Sequence, residues 1–191
     1  QTWYEKAKKA KDATDDLTRS IQDEYEALAK LNSEYAENKI DKYSSSIDLL
    51  EAKKENYTKY TSKNNMLSKE SSYLNKELSA YQKAYRDDKT GLNSATKSIN
   101  KTKTTKANRK VLKEIKSCIK SKKEISSGIL DRALSIDSNL YNQCVKYNAY
   151  LVAYETDKAT YDLKKQENES KKADLAQEKL DNIDTYYSNR R

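Results

Sequence analysis

The 191 residues carry 38 Lys+Arg against 30 Asp+Glu, a net charge of +8, with 16 Tyr, two Gly, two Cys and no Phe, Pro or His. Without His there is no imidazole base, triad or His-ligated metal site; two Cys cannot make a four-thiolate zinc site, and two Gly cannot build a Gly-rich phosphate loop. So few turn formers exclude all-β and many-stranded α/β folds and leave room only for a few long elements.

The first helix is predicted over 1–38. Its series is Trp3, Ala7, Ala10, Thr14, Leu17, Ile21, then Leu28, Leu31 and Tyr35, broken only at Glu24. Steps of three and four are the signature of helices packed along a shared seam. Residues 12–37 hold eight acids against Arg19 and Lys30, a net −6. Asp12, Asp15, Asp16, Asp23, Glu26 and Glu34 form a candidate acidic interaction face. Asn38 to Ser46 contains three successive Ser where the repeat slips by one residue, so a turn is expected there rather than a stutter in one continuous helix.

The second helix is predicted over 44–87, with Tyr43, Ile47, Leu50, Tyr57, Tyr60, Leu67, Leu74, Leu78, Tyr81 and Tyr85 on its seam. It is expected to end at Arg86–Gly91, where Gly91 suits a left-handed cap. Asp87-Asp88-Lys89-Thr90-Gly91 is only superficially like a calcium loop, because Lys89 and Lys97 occupy positions that need oxygen ligands. No metal or cofactor site is expected.

The third helix, over 93–126, carries Leu92, Ala95, Ile99, Leu112, Ile115 and Ile119. Residues 97–123 contain 11 Lys+Arg and one acid, Glu114, a net +10. Lys106, Arg109, Lys113, Lys116, Lys120 and Lys123 recur at helical spacing as a candidate basic interaction face, suited to phosphates, an anionic surface or an acidic protein. Nucleic acid is the weaker partner. No aromatic lies between Tyr85 and Tyr141 for bases to stack on, and no recognised binding motif appears.

A turn at Ser126-Ser127-Gly128 leads to the fourth helix, over 130–188. Its seam is Ile129, Ala133, Ile136, Leu140, Cys144, Tyr147, Leu151, Tyr154, Tyr161 and Leu175. The longest nearly apolar run, 147–154, falls far short of the roughly 20 residues of a membrane-spanning helix, so no transmembrane segment is expected. Cys118 and Cys144 would lie about 39 Å apart on one straight helix. A hairpin turning near Asp131 would level them on antiparallel helices, so a disulfide is expected. That bond would place the protein in an oxidising setting, whether secreted, extracellular or in a secretory-organelle lumen; without it the chain reads as cytoplasmic. Starting on Gln1, the sequence reads as a processed mature chain or a cut piece. Sequons at Asn56, Asn100 and Asn168 occur at about chance frequency and carry little weight.

The expected fold is all-α: one elongated domain over 1–191, an antiparallel helical bundle or coiled coil of about four long helices, more than about three quarters helical. Nine of the 16 Tyr fall on the seams, where a ring can be buried with its hydroxyl at the surface or in contact with another molecule. The sequence therefore reads as a non-enzymatic structural protein that self-assembles into a filament, lattice or matrix through Tyr-rich and charge-complementary faces. The alternative is a helical adaptor or secretion-linked module binding a different protein, with no small-molecule substrate. In composition, though in no diagnostic motif, the chain is similar to the four-helix matrix proteins of ciliate discharge organelles, a likeness that implies a secretory-organelle matrix role.

Overall fold

The computed structural model describes residues 2–54 and 59–190, except the side chain of Thr18. Tyr57 and the Asn56 sequon lie outside the described residues. Helix accounts for 91% of the described residues, with no strand among them. Among the described residues there are five helices: α1 (Trp3–Lys54), α2 (Tyr60–Asn100), α3 (Arg109–Lys120), α4 (Ser127–Ile136) and α5 (Ser138–Arg190). Three are long and two short, in place of the expected four long ones.

Two expected breaks are absent. The turn at Asn38–Ser46 does not occur, because α1 runs through it. The inner face of α1 after residue 21 is Tyr25, Ala29, Asn32, Ala36 and Ile40, leading on to Tyr43, Ile47 and Leu50, with Ala29, Ala36 and Ile40 buried and the others half-buried. Leu28, Leu31 and Tyr35, the residues that suggested a phase slip, are exposed. The seam is continuous once its small and polar members are counted.

The second missing break is at Gly91, which lies inside α2 and has no left-handed backbone. A Cβ built on Gly91 would stand 2.5 Å from Cε1 of Tyr150, a ring carbon on α5. Gly is there for close approach of the ring, not for a turn.

One break lies where continuous helix was expected. Residues 101–108 separate α2 from α3. This stretch is Lys-Thr-Lys-Thr-Thr-Lys-Ala-Asn, rich in like charge and β-branched residues and poor in anything to bury. Asn108 organises it: Thr105 N donates to Asn108 Oδ1 at 2.7 Å, Asn108 N donates to Thr105 Oγ1 at 3.2 Å, and Asn108 Nδ2 donates to the Lys103 carbonyl at 2.9 Å.

The turn after α3 is centred on Lys122, whose φ of 54° is left-handed, rather than on Gly128. Lys123 N donates to the Cys118 carbonyl at 3.0 Å, the long bond of a Schellman closure. Gly128 falls in the first turn of α4, behind the N-cap Ser126. Asp137 then ends α4 and caps α5, accepting from Asn139 N and Leu140 N through Oδ1.

The chain divides into two compact units, with α1, α2 and α5 contributing to both. The first unit comprises residues 1–32 and 86–155. Its core gathers Ala95 and Ile99 of α2, Val111, Leu112 and Ile115 of α3, Ala133 of α4, and Leu140, Tyr141, Cys144, Val145, Tyr147 and Leu151 of α5. Asn148 ties the α3–α4 connection to α5 through both its amide atoms, bonding Ile125 N and the Ile125 carbonyl at 2.8 Å each. Asn32 Nδ2 donates to the fully buried Asp88 at 2.8 Å.

The second unit, residues 33–85 and 156–191, packs three helix segments. Tyr43 meets Tyr73 between α1 and α2, while Tyr60 meets Tyr186 and Tyr85 meets Tyr161 between α2 and α5, with centroids 6.1, 4.2 and 5.0 Å apart. Residue numbers rise on one helix as they fall on the other, so α2 runs antiparallel to α5. Ser33–Asp157 and Lys54–Glu178 contacts make α1 parallel to α5. Ala36, Ile40, Ala80 and Ala84 form a small close-packed cluster.

Candidate interaction surfaces

All six residues of the expected basic face, and five of the six of the acidic face, lie in the first unit; Glu34 belongs to the second. Lys106 sits in the 101–108 connection, Lys123 in the connection after α3, and Arg109, Lys113, Lys116 and Lys120 on α3. Helical spacing places these four beside the buried Val111–Leu112–Ile115 face. Lys116 is half-buried and the other five cations are exposed. The segment's one acid, Glu114, is engaged by Arg132 of α4 at 2.7 Å, so the local carboxylate does not neutralise the Lys stripe.

The six acidic residues are all exposed on α1. Glu26 accepts a hydrogen bond from Gln22 at 3.0 Å. Among the described residues no ion pair joins 12–32 to 97–123, although both belong to one unit.

The expected disulfide is not formed. Cys118 and Cys144 are free thiols. The chain does not turn back at Asp131; α4 intervenes as a separate helix with Asp131 on it. Both Cys nevertheless join the first unit's core, Cys144 fully buried and Cys118 packed at its edge. Burial first, and Cys118 second, push the Cys144 thiol up to about 12, which makes it an inert core residue rather than a nucleophile. The inference of an oxidising compartment rested on that bond and loses its support.

The Tyr residues are mostly spent inside the chain. Tyr147 is buried and its hydroxyl donates to the Lys123 carbonyl at 3.1 Å. Tyr43, Tyr60, Tyr85 and Tyr161 are half-buried in ring pairs. Among the described residues, Tyr4, Tyr35 and Tyr187 are the exposed Tyr.

One surface was not legible as such. Residues 2–20 of the chain, apart from the undescribed side chain, are exposed on every side. Trp3 is 84% exposed, Tyr4 71% and Leu17 62%. The seam spacing of Trp3 and Leu17 reads as buried core; spacing carries no information about whether a partner helix is present.

Among the described residues no group of three or more acidic or Cys side chains is placed to hold a metal ion, and no helix is long and apolar enough to cross a membrane. Comparison of the chain with protein-family models, with curated proteins and with solved structures finds no match.

Proposed function

We propose that the chain is a non-enzymatic structural protein that self-assembles, joining copies through oppositely charged segments. The observation that supports this best is two exposed segments of opposite sign without an ion pair between them. Residues 97–123 carry +10, and residues 12–32 carry six acids against Arg19 and Lys30. An unneutralised +10 segment repels its own copies. A neighbour's acidic stretch is the chain's own richest source of opposite charge. Contact between two different patches is heterologous and propagates when the rotation does not close a ring. Exposed ion pairs contribute only about 0–1 kcal/mol each, so the contact is collective and salt-sensitive.

The test is charge reversal read by light scattering at low and high salt. Changing Lys113, Lys116 and Lys120 to Glu should abolish large species. Adding Asp12→Lys, Asp23→Lys and Glu26→Lys should restore them in part. Wild-type-like assembly by the triple Glu variant would overturn the reading, as would a wild-type chain that scatters no more light at low salt than at high.

A further inference from the structure

The exposed start of α1 has an internal symmetry that the charge argument does not use. Its seam positions are Trp3, Ala7, Ala10, Thr14, Leu17 and Ile21. They are symmetric about residue 12, so reversing the segment sets Trp3 against Ile21, Ala7 against Leu17 and Ala10 against Thr14. Trp3 then meets Ile21 rather than its own copy, and Ala7 accepts the bulk of Leu17. In heptad terms every layer pairs an a position with a d position, the layering of an antiparallel coiled coil. The same reversal sets Glu5 level with Arg19, Lys8 with Asp16 and Lys9 with Asp15, outside the seam.

We infer that residues 3–21 of two copies pair antiparallel about a two-fold axis near residue 12, forming a homodimer contact. The occupant of this exposed face is a second copy because charge complementarity selects it. In the antiparallel pair, Asp16 stands beside the other copy's Lys6 on one edge. On the other edge each Lys11 stands between the other copy's Asp15 and the other copy's Lys11, so the edge carries two opposite-charge contacts and one like-charge contact at the axis. A parallel, in-register pair would instead put Lys6 beside Lys11 of the other copy on both edges, like charge against like. It would also stack Trp3 on Trp3 and leave Ala7 facing Ala7. The seam's one hydroxyl is already satisfied, since Thr14 Oγ1 donates to the Ala10 carbonyl at 2.9 Å. Thr14 can therefore enter the contact without leaving a donor unmade.

The segment is two to three heptads long and half of its seam is Ala or Thr, so the contact is weak and concentration-dependent. It is isologous, and shares Asp15 and Asp16 with the acidic stretch of the charge contact proposed above. Asp12, Asp23 and Glu26 stay outside the seam.

The experiment uses the full chain carrying Cys118→Ser; the native Cys144 is fully buried. Ala10→Cys and Thr14→Cys chains are mixed and oxidised. The mixture should cross-link at least about tenfold more than either chain alone, through residue 10 of one copy and 14 of the other. Trp3 is the chain's only Trp, so its emission should shift to the blue as concentration rises. Leu17→Asp should remove both signals while helix content is unchanged, since Leu17 lies outside the folded core. The Lys113/Lys116/Lys120→Glu variant should retain both, which separates failure of this contact from failure of the charge contact. Cross-linking of either single variant as efficient as the mixture would overturn the antiparallel register. No cross-link together with a monomer in sedimentation at hundreds of micromolar would overturn the dimer.

Discussion

Gly91 illustrates how one residue can be read correctly as special and for the wrong reason. Its lack of a side chain serves the Tyr150 ring, which occupies the space a Cβ would need. Two effects of Gly91→Ala then oppose each other. Ala is favoured over Gly within a helix by about 1 kcal/mol, while overpacking a filled contact costs about 1–3 kcal/mol. The steric cost should win, with a net loss of stability of up to about 2 kcal/mol in urea unfolding. In a Tyr150→Ala background the obstruction is gone, and the same substitution should stabilise by about 1 kcal/mol. A double-mutant cycle measures that change of sign; equal effects in both backgrounds would mean the ring moves aside freely. Composition pointed to Gly91 as one of two Gly in the chain, but a tertiary contact 59 residues away has no local signature.

At the scale of the helix, periodicity identified helical structure correctly and misplaced its ends. The reason lies in which residues form the seams. Large aliphatic residues do not mark the inner face of α1 after Ile21, which is Ala29, Ala36 and Ile40, buried, with Tyr25 and Asn32 half-buried. In α2 the buried face includes Glu70, Glu77 and Asp88 as well as Leu67 and Leu74. Ala permits close approach and buried polar residues pair across the bundle, as Asn32 does with Asp88. Neither registers in a hydrophobic count. The basic and acidic segments were legible as charge runs, whereas the Arg132–Glu114 pair depends on the position of α4. Glu77 shows what such a buried polar residue does to stability. Burial pushes its carboxyl above the ordinary range, against the pull of Lys171 and Lys164 and with a small push from Glu167. A carboxyl with a raised folded pKa holds its proton more tightly folded than unfolded. Its effect on stability is therefore most favourable at low pH and declines as pH rises from about 4.5 through the raised value. Glu77→Gln should flatten that decline and raise the urea midpoint at neutral pH. A lower neutral midpoint in the variant would mean that the Lys171 and Lys164 attractions outweigh the desolvation.

At the scale of the whole molecule, the two proposed contacts differ in symmetry and in the force that holds them, so salt should separate them. The pairing of residues 3–21 is isologous and closes at two copies; its seam is mostly apolar. Contact between 97–123 and the acidic stretch is heterologous and electrostatic, and it can extend without limit. Surface charge interactions are screened over about 10 Å at 0.1 M salt and about 3 Å at 1 M, whereas apolar burial is not weakened by salt. A concentrated wild-type solution should therefore pass from large species at low salt to one of twice the 22.1 kDa chain mass at high salt, rather than to single chains. Leu17→Asp at high salt should give single chains, and the triple Glu variant should give the twofold species even at low salt. Light scattering coupled to size-exclusion chromatography reads all three. A wild-type chain that falls directly to 22.1 kDa at high salt would show that charge holds both contacts, and the apolar seam would then be too short to act as an independent dimer interface.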